Sequence, residues 1–447
     1  MLPVAVFDLL LSVPRQWRME TAGFDLGIFE EAVRGYARFG APVAALKGTG
    51  FNLLGDHFSP LLAVLAPLYR LFPCAATLLA AQAGLFALSC VPVTGLAVER
   101  LGRLRGVAVG LAYGLSWGLW KASIFDFHEV ALAVPLIAWS AVALARGRYR
   151  AAVCWALPLL LVKEDQGLLL AGVGVYVFCR GRRRLGAAAV LAAIAGTLLA
   201  VLVVVPALNP GGVYSYGANG AWHGDPLTRL LLPWQPKQDT VIMLLAPTLF
   251  VALRSPLALL LVLPLAARFW TPAPTYWGTG YHYNAVLMPV LFVALVDGLH
   301  RLRGAAGDQR GVAARLRERV VGAVPAVALV FALATVPLPN LAGPTPAVRA
   351  ARQVLTVIPD GATVAASNQL APQLTDRCTV SLFPYLTYPD ATGPNGRPVA
   401  RWVAAWDRPG DFPVPQGEQL AALAALPAAG YQVVAAGGGI TVYHWVG

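Results

Sequence analysis

Three charged residues, Lys163, Glu164 and Asp165, stand side by side inside the apolar run LPLLLVKEDQGLLLAGVGVYVF (157–178). Ionisable groups at membrane depth are expensive and are usually functional. Two further stretches carry acids next to imidazoles: NLLGDHFSP (52–60), with Asp56 and His57, and FDFHEV (125–130), with Asp126, His128 and Glu129. Carboxylate and imidazole together suit a divalent ion such as Mg²⁺, Mn²⁺ or Zn²⁺. The same five residues suit equally a hydrogen-bond network that holds loops in register. Asp25 opens the amphipathic segment TAGFDLGIFEEAVRGYARFG (21–40), as a helix cap or as a general base. YWGTGYHYN (276–284) brings Tyr281, His282 and Tyr283, aromatic faces that suit a sugar ring or a lipid headgroup and equally an interfacial aromatic belt. Lys121, Lys163, Lys237 and Arg268 are the cations nearest these stretches, and one or more of them can hold a phosphate.

The elements that must position these residues are membrane helices. The chain has 447 residues, 57% hydrophobic and 13% charged, with a mean hydropathy of +0.63. A soluble domain carries about 25% charged residues. Apolar runs predict an α-helical polytopic membrane protein of about 10–11 membrane helices, some short or re-entrant. Runs at 106–120 and 240–253 are read as one helix each. The first stretch, MLPVAVFDLLLSVPRQWR, lacks the basic start of a signal peptide. It is short against the roughly 20 residues of a crossing and is read as a clipped first helix. The five cysteines form no CxxC pair, so neither a disulfide framework nor a zinc site is expected.

Basic residues orient the chain. Segments 99–105, 146–150, 180–184 and 301–319, with Arg254, hold 17 of the 34 Lys and Arg. Such loops face the cytoplasm, which accounts for the net charge of +12 without a nucleic-acid partner. With 146–150 and 180–184 on one side, 151–180 must leave and return as a hairpin with KEDQG at its apex. Each arm of roughly 12–14 residues rises about 20 Å against a hydrocarbon core of about 30 Å. The apex is then expected in a water-accessible recess. Parity places 15–73, 121–129, 207–239, 271–284 and the tail outside, together with most acids and with His57, His128, His223 and His282. Segment 21–40 is expected along the membrane surface. Residues 1–340 are read as the membrane domain and 341–447 as a small extracytoplasmic α/β domain. Its strands are expected in ATVAAS, CTVSLF and the closing hairpin YQVVAAGGGITVYHWV, and its helices in AVRAARQVLTVI and GEQLAALAALPAAG. That glycine run is no phosphate loop, because neither helix nor lysine follows it.

FDLGIFE, LGDHFSPLLAVLAPLYRLFP, DFHEVALAVPL, LVKEDQGLLLAG, PALNPGGVYSY and YWGTGYHYNAVLMPV together resemble the hallmark blocks of a bacterial membrane-protein family, domain of unknown function 2079, over nearly the whole chain. That family is similar in architecture to the GT-C type membrane glycosyltransferases. The resemblance implies polyprenyl-phosphate sugar donors, a catalytic carboxylate in the first outer loop and an outer C-terminal domain. The chain departs from the family pattern at Gln373, where histidine is usual, and at Glu31, where glutamine is common. A full first helix is also usual in that family.

The expected function is an extracytoplasmic-facing glycosyltransferase of the plasma (inner) membrane. Its partners would be the bilayer, a polyprenyl-phosphate sugar, and a cell-envelope glycan, lipid or protein acceptor. Asp25 is the expected base, with Glu164 and Asp165 catalytic. Lys121, Lys163, Arg268, Tyr281, His282 and Tyr283 are expected to bind substrate, and Asp56, His57, Asp126, His128 and Glu129 a divalent metal. The alternative is a transporter or flippase for a lipid-linked or polar solute, since intramembrane charges also mark substrate pathways. The outer clustering of acids and the lack of an internal repeat favour the enzyme.

Overall fold

The computed structural model describes residues 1–216, 225–304, 312–385 and 399–447. His223 and the middle of the 301–319 segment lie outside the described residues. Helix length follows apolar length. Among the described residues, four helices are long and apolar enough to cross a bilayer: Ala75–Leu101, Arg183–Leu208, His282–Gly304 and Arg315–Thr335. The apolar window of His282–Gly304 is 83% buried and that of Arg183–Leu208 only 22%. The former is thus the hub of the bundle, while the latter turns most of its surface outward. Shorter apolar helices at Pro60–Leu71, Glu129–Ala145, Tyr149–Leu161 and Pro256–Trp270 pack between them. Pro60, Pro158 and Pro256 each open a 3₁₀ turn, where the missing N–H is least needed. The chain is an α-helical polytopic membrane protein with a small C-terminal sheet.

The charged loops sort to two ends. At one end Arg146 pairs with Glu99 at 2.7 Å, Arg105 with Glu318 at 2.7 Å and Arg303 with Glu318 at 3.1 Å. This joins the 99–105, 146–150 and 301–319 segments, as the parity argument requires. The hairpin is present too. Tyr149–Ala156 runs into the turn Leu157–Leu161, breaks at Lys163, and returns as Gly167–Cys179 against Arg183–Leu199.

Three expectations need correction. The run 106–120 breaks at Leu115–Ser116 into helices Arg103–Gly114 and Trp117–Ile124. The run 240–253 breaks where Leu249 and Phe250 take left-handed backbone angles (φ 47° and 59°), which end a right-handed helix. Segment 21–40 is not an amphipathic helix with one face open to water. A tight turn, Gly23–Gly27, leads into helix Ile28–Ala37, whose residues from Ile28 to Val33 are all buried. The C-terminal unit covers its polar side.

That unit is a five-stranded sheet in the order β2-β1-β3-β5-β4, with β1 Thr363–Ala366, β2 Thr379–Leu382, β3 Trp402–Trp406, β4 Tyr431–Gly437 and β5 Ile440–Trp445. Strands β1, β2 and β3 run parallel, and β5 is antiparallel to both β3 and β4. β3 was not anticipated, because WVAAW sits between arginine and proline-rich flanks. The β4–β5 turn places Gly438 and Gly439 at φ +67° and +84°, the two left-handed positions of a tight hairpin turn. Helices Pro346–Leu355 and Gln416–Ala425 are those expected.

Candidate functional site

The break in the hairpin builds the centre of the site. Lys163 is extended (φ −165°, ψ 146°), so its side chain and that of Glu164 diverge. Gly167 restarts the helix where a Cβ would fall 2.1 Å from Thr197 Oγ1, so only glycine lets the arm approach Arg183–Leu199 there. Thr197 Oγ1 in turn donates to the Glu164 carbonyl at 3.0 Å.

From Lys163 a line of charges runs outward. Lys163 Nζ lies 2.8 Å from Glu129 Oε1, Glu129 Oε2 lies 2.8 Å from His128 Nδ1, and His128 Nε2 lies 3.3 Å from Asp25 Oδ1. A ring whose two nitrogens both face carboxylates must donate from both and is an imidazolium. Burial alone would push His128 down, yet Asp25 and Glu129 lift it to about 9. The Asp25 side chain is 27% exposed, and its Oδ2 has no hydrogen-bond partner among the described residues. Asp25 caps no helix.

Glu164 faces the other way. Its Oε1 takes His57 Nδ1 at 2.7 Å and the Tyr214 hydroxyl at 3.0 Å, and its Oε2 accepts from the Phe58 N–H at 2.9 Å. Burial opposes its charge, but His57 and Lys163 hold it at about 2. Asp165 accepts from Gln166 at 3.0 Å. Asp56 pairs with Lys47 at 3.0 Å and accepts from the Tyr216 hydroxyl at 3.1 Å. Asp126, in a left-handed backbone conformation (φ 74°), takes the Ala22 N–H at 2.8 Å and Arg15 at 3.4 Å.

A cavity of about 290 Å³ opens beside the apex, lined among others by Lys163, Glu164, Asp165, Arg268, His282 and Tyr283. Arg268 is buried and has no carboxylate within 4 Å among the described residues. Its guanidinium donates to the carbonyls of Tyr276 and Gly278, and to Asn284 Oδ1 at 2.9 Å. His282 is 3% exposed, and neither of its ring nitrogens has a hydrogen-bond partner among the described residues. It stacks on His128 with ring centroids 3.4 Å apart, so one imidazole ring separates it from Asp25. The site therefore offers two buried cations and a free imidazole within one recess, with an accessible carboxylate just behind.

The structure brings together Asp25, His128, Glu129, Lys163, Glu164, Asp165, Arg268, His282 and Tyr283. Lys121 and Tyr281 do not line this cavity. Lys121 reaches Thr279 at 3.4 Å, and Tyr281 stands edge-on to Phe125 at 4.9 Å. Lys237 is spent on three carbonyls, those of Arg229, Leu232 and Phe269. Asp56, His57, Asp126, His128 and Glu129 do not form one ligand set. Asp56, His57 and Asp126 each bind a partner outside the set, His128 and Glu129 bind each other, and no group of three or more His, Cys, Asp or Glu among the described residues is placed to hold a metal ion. Sequence reasoning missed Tyr214 and Tyr216, which close the recess from the loop after Leu208. Their signal was present in PALNPGGVYSY, where two tyrosines two apart follow a turn. It also missed what Glu30, Glu31 and Arg34 do. Arg34 donates at 2.6 Å to the carbonyls of Thr375 and Cys378, and Gln373 donates to the Gln16 carbonyl at 3.1 Å. These contacts fix the C-terminal sheet over the Asp25 turn.

Residues 15–405 match the model of the family described as a predicted membrane protein, DUF2079. No curated protein matches the chain in sequence. Among solved structures, ArnT from Cupriavidus metallidurans bound to undecaprenyl phosphate superposes with a TM-score of 0.58 at 16% identity, over 99% of this chain and 96% of that one. ArnT in the apo state gives the same values. The likeness is one of fold.

Proposed function

The chain belongs to the DUF2079 family, and we propose that it transfers a sugar from a polyprenyl-phosphate carrier to an acceptor hydroxyl on the outer face of the plasma membrane. One observation carries the reading: Arg268 and Lys163 place two buried cations, with the unpartnered His282, around one recess. A buried charge without a counter-ion is unfavourable, and an anionic ligand relieves Arg268. The similar fold of ArnT, solved bound to undecaprenyl phosphate, supports the choice of anion.

In the proposed step an acceptor oxygen bonds to the anomeric carbon while the bond from that carbon to the phosphate oxygen breaks. The electron pair leaves with the phosphate, whose growing charge meets cations fixed in advance. The acceptor proton passes to Asp25, whose Oδ2 is free. His128 steadies Asp25 through Oδ1 and receives no proton, being an imidazolium already. Glu164, held ionised by His57, keeps the apex in place. No step is routed through a metal, because the expected ligands are engaged by other side chains.

The test is direct. The purified protein in lipid nanodiscs is mixed with a radiolabelled undecaprenyl-phosphate sugar, and release of label from the lipid is measured. Release that depends on Arg268 supports the reading. Retention of all label with the lipid, alongside uptake of a polar solute in proteoliposomes, replaces it with transport.

A further inference from the structure

A second cavity, of about 620 Å³, lies on the other side of Tyr216, between the Ala45–Phe51 loop and the C-terminal sheet. We propose that it seats the acceptor and that the acceptor there is an uncharged, hydroxylated saccharide ring. This rests on the sugar-transfer reading for its role, but not for its chemistry.

The cavity is built, not left over. Its two walls are pinned to each other by one buried carboxylate, that of Glu31. Oε2 accepts from the Leu46 N–H at 3.1 Å in the loop wall, and Oε1 accepts from the Val380 N–H at 3.1 Å in β2. Glu31 is 2% exposed, so parting the walls would strand a buried carboxylate oxygen without a donor. The volume lies within the roughly 300–1,000 Å³ of small-molecule sites.

The lining selects the ligand. Phe24, Phe51, Tyr216 and Tyr385 present aromatic faces, on which the C–H face of a sugar ring can lie. Lys47 Nζ sits 5.7 Å from the centroid of the Phe24 ring and 5.9 Å from that of Phe51. It is neutralised by Asp56 at 3.0 Å. Paired charges offer donors and acceptors to hydroxyls without a net field, which disfavours an anionic acceptor. Ser215 and Ser381 add hydroxyls, and a lipid tail could use none of these polar groups.

The position fits the reaction. Tyr216 lines both cavities. Its ring stacks on His57, centroids 4.3 Å apart, on the carrier side, while its hydroxyl donates to Asp56 on the acceptor side. Phe24, in the wall, is the residue before Asp25.

The experiment uses the full chain in nanodiscs, with chitotriose and maltotriose as probes and saturation-transfer NMR as readout. Ser381→Trp fills the cavity from β2, and Phe51→Ala removes a platform from the opposite wall. The expected result is a saccharide signal in the unaltered protein that falls at least about tenfold in either variant. No signal in the unaltered protein, or a signal unchanged in a folded variant, overturns the proposal. Release of label from the lipid-linked donor by the unaltered protein reports separately on the sugar-transfer reading, so the two failures are distinguishable.

Discussion

His128 lies against His282 with ring centroids 3.4 Å apart and planes 23° apart. One ring is committed to two carboxylates and the other to none. The stack explains how a chain this apolar can keep a charged imidazole and an unpartnered one in contact. Asp25 and Glu129 carry the countercharge for the first, and the cavity supplies room for a ligand at the second.

Asp25→Asn is expected to abolish sugar release, by the roughly 10²–10⁴-fold of a positioned base, with the fold retained although His128 loses one of its two countercharges. The amide oxygen can still take the His128 Nε2 proton, so the geometry survives while the basicity does not. Full turnover in this variant, measured as label released per minute, removes Asp25 from the mechanism.

Lys163→Met leaves Glu129 as a buried carboxylate without its lysine. Breaking a buried pair is expected to lower stability by about 3–5 kcal/mol. Adding Glu129→Gln should restore much of that loss, because the uncompensated charge goes with it. Denaturant unfolding of the single and double variants checks both. A double variant no more stable than the single one would assign the Lys163 effect to packing.

Much of this site was legible in the chain because charge is rare in it. Lys163, Glu164 and Asp165 stand out in an apolar run, and arginine counting placed the turn at their position. Which acid meets which base was not legible. His128 and Glu129 are neighbours in sequence, but Lys163 joins Glu129 only after the hairpin folds back, and His57 reaches Glu164 across 107 positions. Reading Asp56, His57, Asp126, His128 and Glu129 as one metal set treated sequence clusters as spatial ones. The segment 21–40 was misplaced for a related reason. Its amphipathic pattern is real, yet Glu30, Glu31 and Arg34 face protein, a choice that only the distant strand β2 reveals.

Glu31→Gln tests that contact. Glutamine has one acceptor where glutamate has two, so one N–H, of Leu46 or Val380, must face another donor. Hydrogen exchange at these two amides is expected to quicken and overall stability to fall by about 1–3 kcal/mol. Unchanged protection at both amides would show that the sheet is held without Glu31.

Two groups of the site contribute to the pH dependence of stability with opposite signs. His128 is raised from 6.5 to about 9, so its contribution is fully present below pH 6.5 and is lost as pH rises through 9. Glu164 is lowered from 4.5 to about 2, so its contribution is present above pH 4.5 and is lost as pH falls through 2. Together they give a plateau between pH 4.5 and 6.5. Melting curves of the unaltered protein should lose height on both sides. His128→Gln should flatten the alkaline limb alone and Glu164→Gln the acid limb alone.

Chelation separates the ion-pair account from a metal one. Asp56 is paired with Lys47, Asp126 with Arg15, His57 with Glu164, and His128 with Asp25 and Glu129. A divalent ion would have to displace a lysine, an arginine or an imidazolium to bind, and each displacement leaves a cation without its carboxylate. EDTA is therefore expected to leave label release within about twofold of the untreated rate, and Mg²⁺, Mn²⁺ or Zn²⁺ not to raise the melting temperature, as binding to the folded state alone would. Loss of release on chelation, restored by one of these ions, would mean that Glu129 and His128 trade their present partners for a metal when the carrier binds.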